Sequence, residues 1–285
     1  MTSGIDTPNP FLWGNQSVRI SRAEPVHAHI RVPGSKSLTN RLLLLAGLAP
    51  GESRLGWPLD AEDTRLMADA LEQMGVTVRR EPDAWFVRGP GALRVPEDKV
   101  FVGNAGTVMR FLTPLLATLP EPALLDCSPR MKKRPIGDLG DSLEQLGGRL
   151  VYLERHGYPP VRVEGPICGG SVELSGAKSS QYLSGLLMAL PRVSGGSRIS
   201  ISTALVSHTY VDMTLWCLDR FGIVVDSHAS GKKFSLSGSQ KYRPVALDVE
   251  PDASTSSYWW ALPLMVGGEV HTGDVGSHST QGDAG

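Results

Sequence analysis

The stretch VPGSKSLTNRLLLLAGL, Val32–Leu48, is where one periodicity gives way to another. Just ahead of it, VHAHIRV places Val26, Ala28, Ile30 and Val32 at alternate positions, the spacing of a half-buried strand. Pro33 and Gly34 break that strand. Ser35, Lys36, Ser37 and Thr39 follow, then a helix-like run with no acid between Asn40 and Gly51. The pattern predicts a strand, a tight turn and the start of a buried helix. Hydroxyls, a lysine and the unpaired N–H groups of a helix start would then share one place, which is the make-up of an anion site. Ser35 or Ser37 equally fits a plain N-cap, with Lys36 in solvent. The glycine spacing is not that of a Walker A loop.

The rest of the chain repeats this design. ALEQMGVTV (Ala70–Val78), SLEQLGGRL (Ser142–Leu150) and CLDRFGIVV (Cys217–Val225) each end a helix with apolar residues four and one before a glycine. Gly75, Gly147 and Gly222 are 72 and 75 residues apart, and each suits a helix C′ position of positive φ. On the same beat, hydroxyl-rich or small-residue turns precede apolar helices starting near Ser35, Gly103, Gly176 and Asp252. These helices are apolar nearly all round and are expected to be buried, whereas Asp63–Met74 carries charge on one face and is expected outside. Strands are expected over Trp85–Val87, Leu124–Asp126, Arg149–Leu153, Val161–Val163, Arg198–Ile201 and Phe234–Leu236.

The reading is an α/β chain of units of about 70 residues, with sheets outside, helices in the centre and helix starts gathered at one end. A fourth unit begins near Leu247. Its glycine is expected at 294–297, past Gly285, so the repeat predicts a chain that ends inside a unit. That unit is expected to be loosely held, with Trp259 and Trp260 more exposed than a core allows.

Composition sets the outer limits. The 285 residues are 41% hydrophobic and 20% charged with a net charge of −1, so any anion site is local and nothing favours nucleic acid or membrane. Cys127, Cys168 and Cys217 are scattered, without a CxxC, and read as reduced small hydrophobes in a cytoplasmic chain. Met1–Pro25 reads as a short polar leader. His27 and His29 share a strand face, but the sequence offers no third ligand beside them, so no metal site is expected.

PGSKSLTNRLLLLAGLA, GNAGTVMRFL, PRMKKRPIGDL, KSSQYLSGLLMALP and SHTYVDMTL together resemble the motifs of the EPSP synthase family, in the family's order and spacing, from about Val26 to Asp283. The resemblance implies enolpyruvyl transferase-like repeats of a βαβαββ unit. Residues 1–32 would be leader and a strand of a discontinuous domain, 33–246 a complete three-unit domain, and 247–285 the start of the fourth unit, giving a partial second domain. It further implies transfer of the carboxyvinyl group of phosphoenolpyruvate to the 5-hydroxyl of shikimate 3-phosphate, without a cofactor, by a monomer.

Residue by residue, the resemblance makes Lys36 a catalytic cation touching both substrates. Ser37, Arg41, Ser179, Ser180, Gln181 and Ser207 match ligands of shikimate 3-phosphate. Gly106, Arg130 and Gln181 match the phosphoenolpyruvate site, Gly106 by leaving room for phosphoenolpyruvate and for glyphosate, which targets the family. Asn104 and Tyr210 are expected to line it. Phe111 stands where many members carry proline. The family's acid–base aspartate and glutamate fall beyond Gly285, and Asp252 and Asp283 do not match them. A fragment or paralogue that binds shikimate 3-phosphate without turnover is therefore an alternative. The sister enzyme acting on UDP-N-acetylglucosamine is another, but its loop cysteine would fall at Pro129, two residues from Cys127.

Overall fold

The computed structural model describes residues 23–228, 231–273, 275–276 and 278–284. The leader up to residue 22 and Gly285 lie outside them. The chain starts with β1 (Val26–His29), shorter than the strand expected over Val26–Val32. Its only ladder partner among the described residues ends at His271, whose carbonyl accepts from the Ile30 N–H at 2.7 Å.

Three units follow. The first holds α1 (Lys36–Leu48), β2 (Gly51–Gly56), α2 (Glu62–Gln73), β3 (Thr77–Arg80) and β4 (Ala84–Gly89). The second holds β5 (Val100–Phe101), α3 (Gly106–Leu116), β6 (Ala123–Asp126), α4 (Gly137–Glu144), β7 (Arg149–Tyr152) and β8 (Val161–Glu164). The third holds β9 (Ser171–Leu174), α5 (Ser180–Ala189), β10 (Ser197–Ile201), α6 (Thr209–Arg220), β11 (Asp226–Ser227) and β12 (Lys233–Leu236). After it come β13 (Ala246–Asp248), α7 (Ala253–Val266) and β14 (Gly268–His271).

The repeat is visible in the hydrogen bonds. Gly75, Gly147 and Gly222 have φ of 91°, 88° and 77°. Their N–H groups donate to Glu72, Glu144 and Asp219, and those of the next residues to Leu71, Leu143 and Leu218. That is one helix end built three times, at a conformation only glycine adopts without strain.

It is also visible in the sheets, which are β13-β2-β4-β3, β5-β6-β8-β7 and β9-β10-β12-β11. In each, the first pair is parallel and the next two are antiparallel. β5 and β9 lead their own units, but the first sheet takes β13, which arrives after the third unit. The strand just before α1, β1, pairs instead with β14 in parallel. The boundary expected between 246 and 247 therefore falls inside β13.

The apolar helices α1, α3 and α5 form the buried centre, and strand burial alternates, so each sheet keeps a solvent face. The fourth apolar helix has a pattern that points to burial and a place in an unfinished repeat that points to exposure, and it follows the second expectation. Of α7 only Ala253 and Ser256 are buried, Tyr258, Leu264 and Met265 are exposed, and Trp259 and Trp260 are each 36% exposed. Among the described residues, the elements packed most closely on α7 are β1, β14 and the turn at Gly282–Ala284, and the side with Tyr258, Leu264 and Met265 stays exposed.

Candidate active site

Helix starts gather at one end because of where the polar side chains sit along the helices. Arg41, the sixth residue of α1, donates from Nε to Thr214 Oγ1 at 2.8 Å and from Nη2 to Ser184 Oγ at 3.4 Å. Thr214 is the sixth residue of α6 and Ser184 the fifth of α5. Gln181 and Thr107, second in α5 and α3, meet at 3.4 Å. Equal depth in four helices means that α1, α3, α5 and α6 begin on one side, with their positive ends together.

The start of α7 joins them through an antiparallel bridge between Gly34 and Pro251. Ser35 N–H donates to Glu250 O at 2.8 Å, and Asp252 N–H to Pro33 O at 2.9 Å. Gly34 is required here, since an added Cβ would collide with the Trp57 carbonyl oxygen. Asp252 caps α7, accepting from Thr255 N–H at 2.8 Å. Ser35 makes no such side-chain cap on α1, so Ser37 and Leu38 keep N–H groups without a helical acceptor.

Between the two starts lies a cleft of about 370 Å³, lined among others by Lys36, Ser37, Tyr210, Asp252, Ser254 and Asp283. Lys36 Nζ stands 3.6 Å from Asp63 Oδ2. Burial, and after it the carboxylate of Asp283, pushes the Tyr210 phenol up, so the hydroxyl stays a donor. Asp283 itself holds the Ser254 hydroxyl. Glu250 gathers Ser279, Thr280 and Gln281, and Gln281 Oε1 accepts from Ala253 N–H at 3.0 Å, which fixes this wall of the cleft.

Arg41 lies beneath the cleft, 1% exposed. Its Nη1 donates to Ser37 O at 2.9 Å and its Nη2 to Tyr210 O at 3.0 Å. Burial pulls the guanidinium down to about 10, still charged at neutral pH. Phe111, the departure noted above, is fully buried with its ring 5.1 Å from the Arg41 guanidinium carbon, a cation–π arrangement. Arg41 thus supplies field to the site from below and holds the Ser37 backbone, while its side chain is spent on protein partners.

The remaining expected residues stand around the starts of α3, α5 and α6. Gly106 opens α3, but the space above it is taken by the guanidinium of Arg134, which also donates to Asn104 O at 3.3 Å. Arg130 is exposed. Ser179 is the N-cap of α5, accepting from Gln181 N–H at 3.2 Å, as the plain capping role requires. Ser180 is buried, and Ser207 is exposed ahead of α6 at a φ of 52°, a strained value for serine. Asp63, Arg110 and Arg134 carry no local sequence signal of a site, and only the fold brings them here.

His29 stacks on His271, ring centroids 4.6 Å apart, and His271 Nε2 meets Glu269 Oε1 at 2.8 Å. The rings are parallel within 9°, so their in-plane lone pairs do not converge. Among the described residues no three His, Cys, Asp or Glu side chains are arranged to hold a metal ion.

The family model described as EPSP synthase (3-phosphoshikimate 1-carboxyvinyltransferase) matches residues 20–285. The chain is 42% identical over 275 residues to a 3-phosphoshikimate 1-carboxyvinyltransferase of Pseudoalteromonas translucida, covering 95% of this chain and 64% of the relative. It is 43% identical over 263 residues to that of Paraburkholderia phytofirmans, covering 90% and 60%. A solved EPSP synthase from Acinetobacter baumannii superposes with a TM-score of 0.74 at 25% identity, over 83% of this chain and 53% of that one. The chain thus spans about three fifths of the length of these curated relatives.

Proposed function

The chain belongs to the EPSP synthase family, and on that premise we propose that its site binds shikimate 3-phosphate and phosphoenolpyruvate for carboxyvinyl transfer. In that reaction the 5-hydroxyl gives up its proton as its oxygen bonds to C2 of phosphoenolpyruvate, while C3 gains a proton. The adduct then expels phosphate from C2 as C3 gives up a proton and the enol double bond re-forms. Both substrates are polyanions, so preplaced donors and cations do most of the work. The observation that carries the reading is the gathering of helix starts around Lys36 and the N–H groups of Ser37 and Leu38, beside a Lys36 N–H that donates to Asp252 Oδ2 at 3.4 Å. In this reading Lys36 bridges the two substrates. Ser37, Ser179, Ser180, Gln181 and Ser207 take the shikimate phosphate, Arg41 holds Ser37 from below, and Gly106, Arg130 and Gln181 serve phosphoenolpyruvate. The proposal includes residues 33–246 as a three-unit domain whose first sheet β13 completes as far as Asp248, a monomer, and the cytoplasm as its compartment. Free, scattered cysteines agree with that compartment. No described helix is long and apolar enough to cross a membrane.

A second reading, binding without turnover by residues 1–285 alone, is favoured by the carboxylates. Asp63 faces Lys36, Asp252 caps α7 and Asp283 holds Ser254, so each carboxylate near the cleft already has a partner. General acid–base assistance is worth about 10²–10⁴-fold. Calorimetric titration with shikimate 3-phosphate, followed by a phosphate-release assay with both substrates, separates the two. Binding with release supports the transferase, and binding without release supports the second reading. Titration heat from the UDP-sugar and none from shikimate 3-phosphate would overturn both.

A further inference from the structure

Gln181 is held by a side chain from another helix. Arg110 on α3 donates from Nη1 to Gln181 Oε1 at 2.6 Å. A guanidinium has five N–H donors and no acceptor, so the amide atom against it must be the oxygen. The two ends of a glutamine amide are alike in shape, and only the surroundings decide which way it points. This contact decides it. Nε2 is turned toward the start of α3, 3.4 Å from Thr107 Oγ1, on the side where Arg134 lies over Gly106.

Arg110 is costly to keep. It is 7% exposed, and its Nε is buried without a partner. None of the ion pairs among the described residues involves it. Its other supports are Pro135 O at 3.5 Å and the Tyr182 ring, 5.4 Å from its Cζ. Tyr182 donates to the same Pro135 carbonyl at 2.6 Å, so the loop after the basic run braces both side chains. An apolar side chain would fill this place at less cost to folding. What it would lose is the charge at the carbonyl end of Gln181, which polarises the amide and strengthens its N–H donors.

We propose that Arg110 is a positioning residue that fixes Gln181 with its N–H bonds presented to a ligand group that only accepts, a phosphate or a carboxylate. This rests on the reading that Gln181 meets substrate. The test begins without ligand. The Gln181 side-chain amide protons, assigned by comparison with Gln181→Ala, are expected to be dispersed and slow to exchange in the wild-type protein. In Arg110→Met they are expected to move to free-amide positions, and in Arg110→Lys to stay near wild type, since the ammonium is also donor-only. Calorimetry with shikimate 3-phosphate and phosphoenolpyruvate should then show at least tenfold weaker binding for Arg110→Met and partial rescue in Arg110→Lys. Gln181→Glu should keep the Arg110 contact yet lose binding, because a carboxylate cannot donate. Free-amide behaviour in the wild type, or an unmoved Gln181 amide in a folded Arg110→Met, overturns the proposal. If Arg110→Met does not fold, the wild-type and Arg110→Lys resonances still decide. A wild-type protein that binds neither substrate would sink the substrate reading, while the ligand-free amide signals would still judge the positioning.

Discussion

Lys36 Nζ and Asp63 Oδ2 stand 3.6 Å apart, with the lysine half exposed at the mouth of the cleft. A pair this open contributes little to folding. It holds a flexible cation near the α1 start before any ligand arrives.

Lys36→Met should therefore weaken shikimate 3-phosphate without unfolding the protein. A lost charge-assisted contact costs about 1.5–3 kcal/mol, roughly 10- to 150-fold in affinity. Calorimetry gives the affinity and a thermal melt the stability. Unchanged affinity would remove Lys36 from the site.

Gly106→Ala should act through Arg134. The added methyl meets the far end of that side chain and displaces its guanidinium from the α3 start. Phosphoenolpyruvate and glyphosate should weaken more than shikimate 3-phosphate, whose expected serines are untouched. Equal losses for all three ligands in parallel titrations would point to general damage.

Gly34→Ala strikes the bridge between the starts of α1 and α7. Its methyl meets the Trp57 backbone and, at 3.1 Å, Val249 Cγ1, so the loop must shift. Overpacking of this kind costs about 1–3 kcal/mol. Urea unfolding should show the loss, and shikimate 3-phosphate should bind more weakly because the paired helix starts splay. A variant as stable as wild type would mean that the bridge gives way freely.

Thiol chemistry offers a test with a definite sign. Burial pushes Cys127 up to about 11 and Cys217 up to about 12, from an ordinary 9.0, while Cys168 is exposed. The folded state keeps these two protons where the unfolded chain has released them. The two groups therefore leave stability unchanged below about pH 9 and lower it as the pH rises from 9 toward 11–12. At pH 8 an aromatic disulfide reagent should titrate one thiol in the native protein and all three in denaturant. Rapid native labelling of Cys217 would contradict its burial beside α1.

Much of the fold is readable because its cues are local. Three glycines needing positive φ, and helices without a polar face, follow from conformational freedom and hydropathy alone. The strands β5, β9, β11, β13 and β14 are two to four residues long and carry too few side chains to show alternation. Their places depend on partners far along the chain. The same limit hid Arg134 over Gly106, Asp63 beside Lys36 and Arg110 behind Gln181, all of them contacts made through space. For α7 the apolar pattern alone points to burial, but burial needs a neighbour as well as a pattern, and the repeat spacing already points to the exposure of Trp259 and Trp260.

The late arrival of β13 has a kinetic consequence. Arg54 in β2 and Asp248 in β13 meet at 2.9 Å across 194 positions of chain, whereas β5 and β9 each sit within one unit of the strand they join. Closing so long a loop is entropically slow. As the polypeptide is made, the second and third sheets can finish soon after their own residues emerge. The first-made sheet waits with the edge of β2 open until residue 248 appears, and it should be the last to gain protection in pulse-labelled hydrogen exchange.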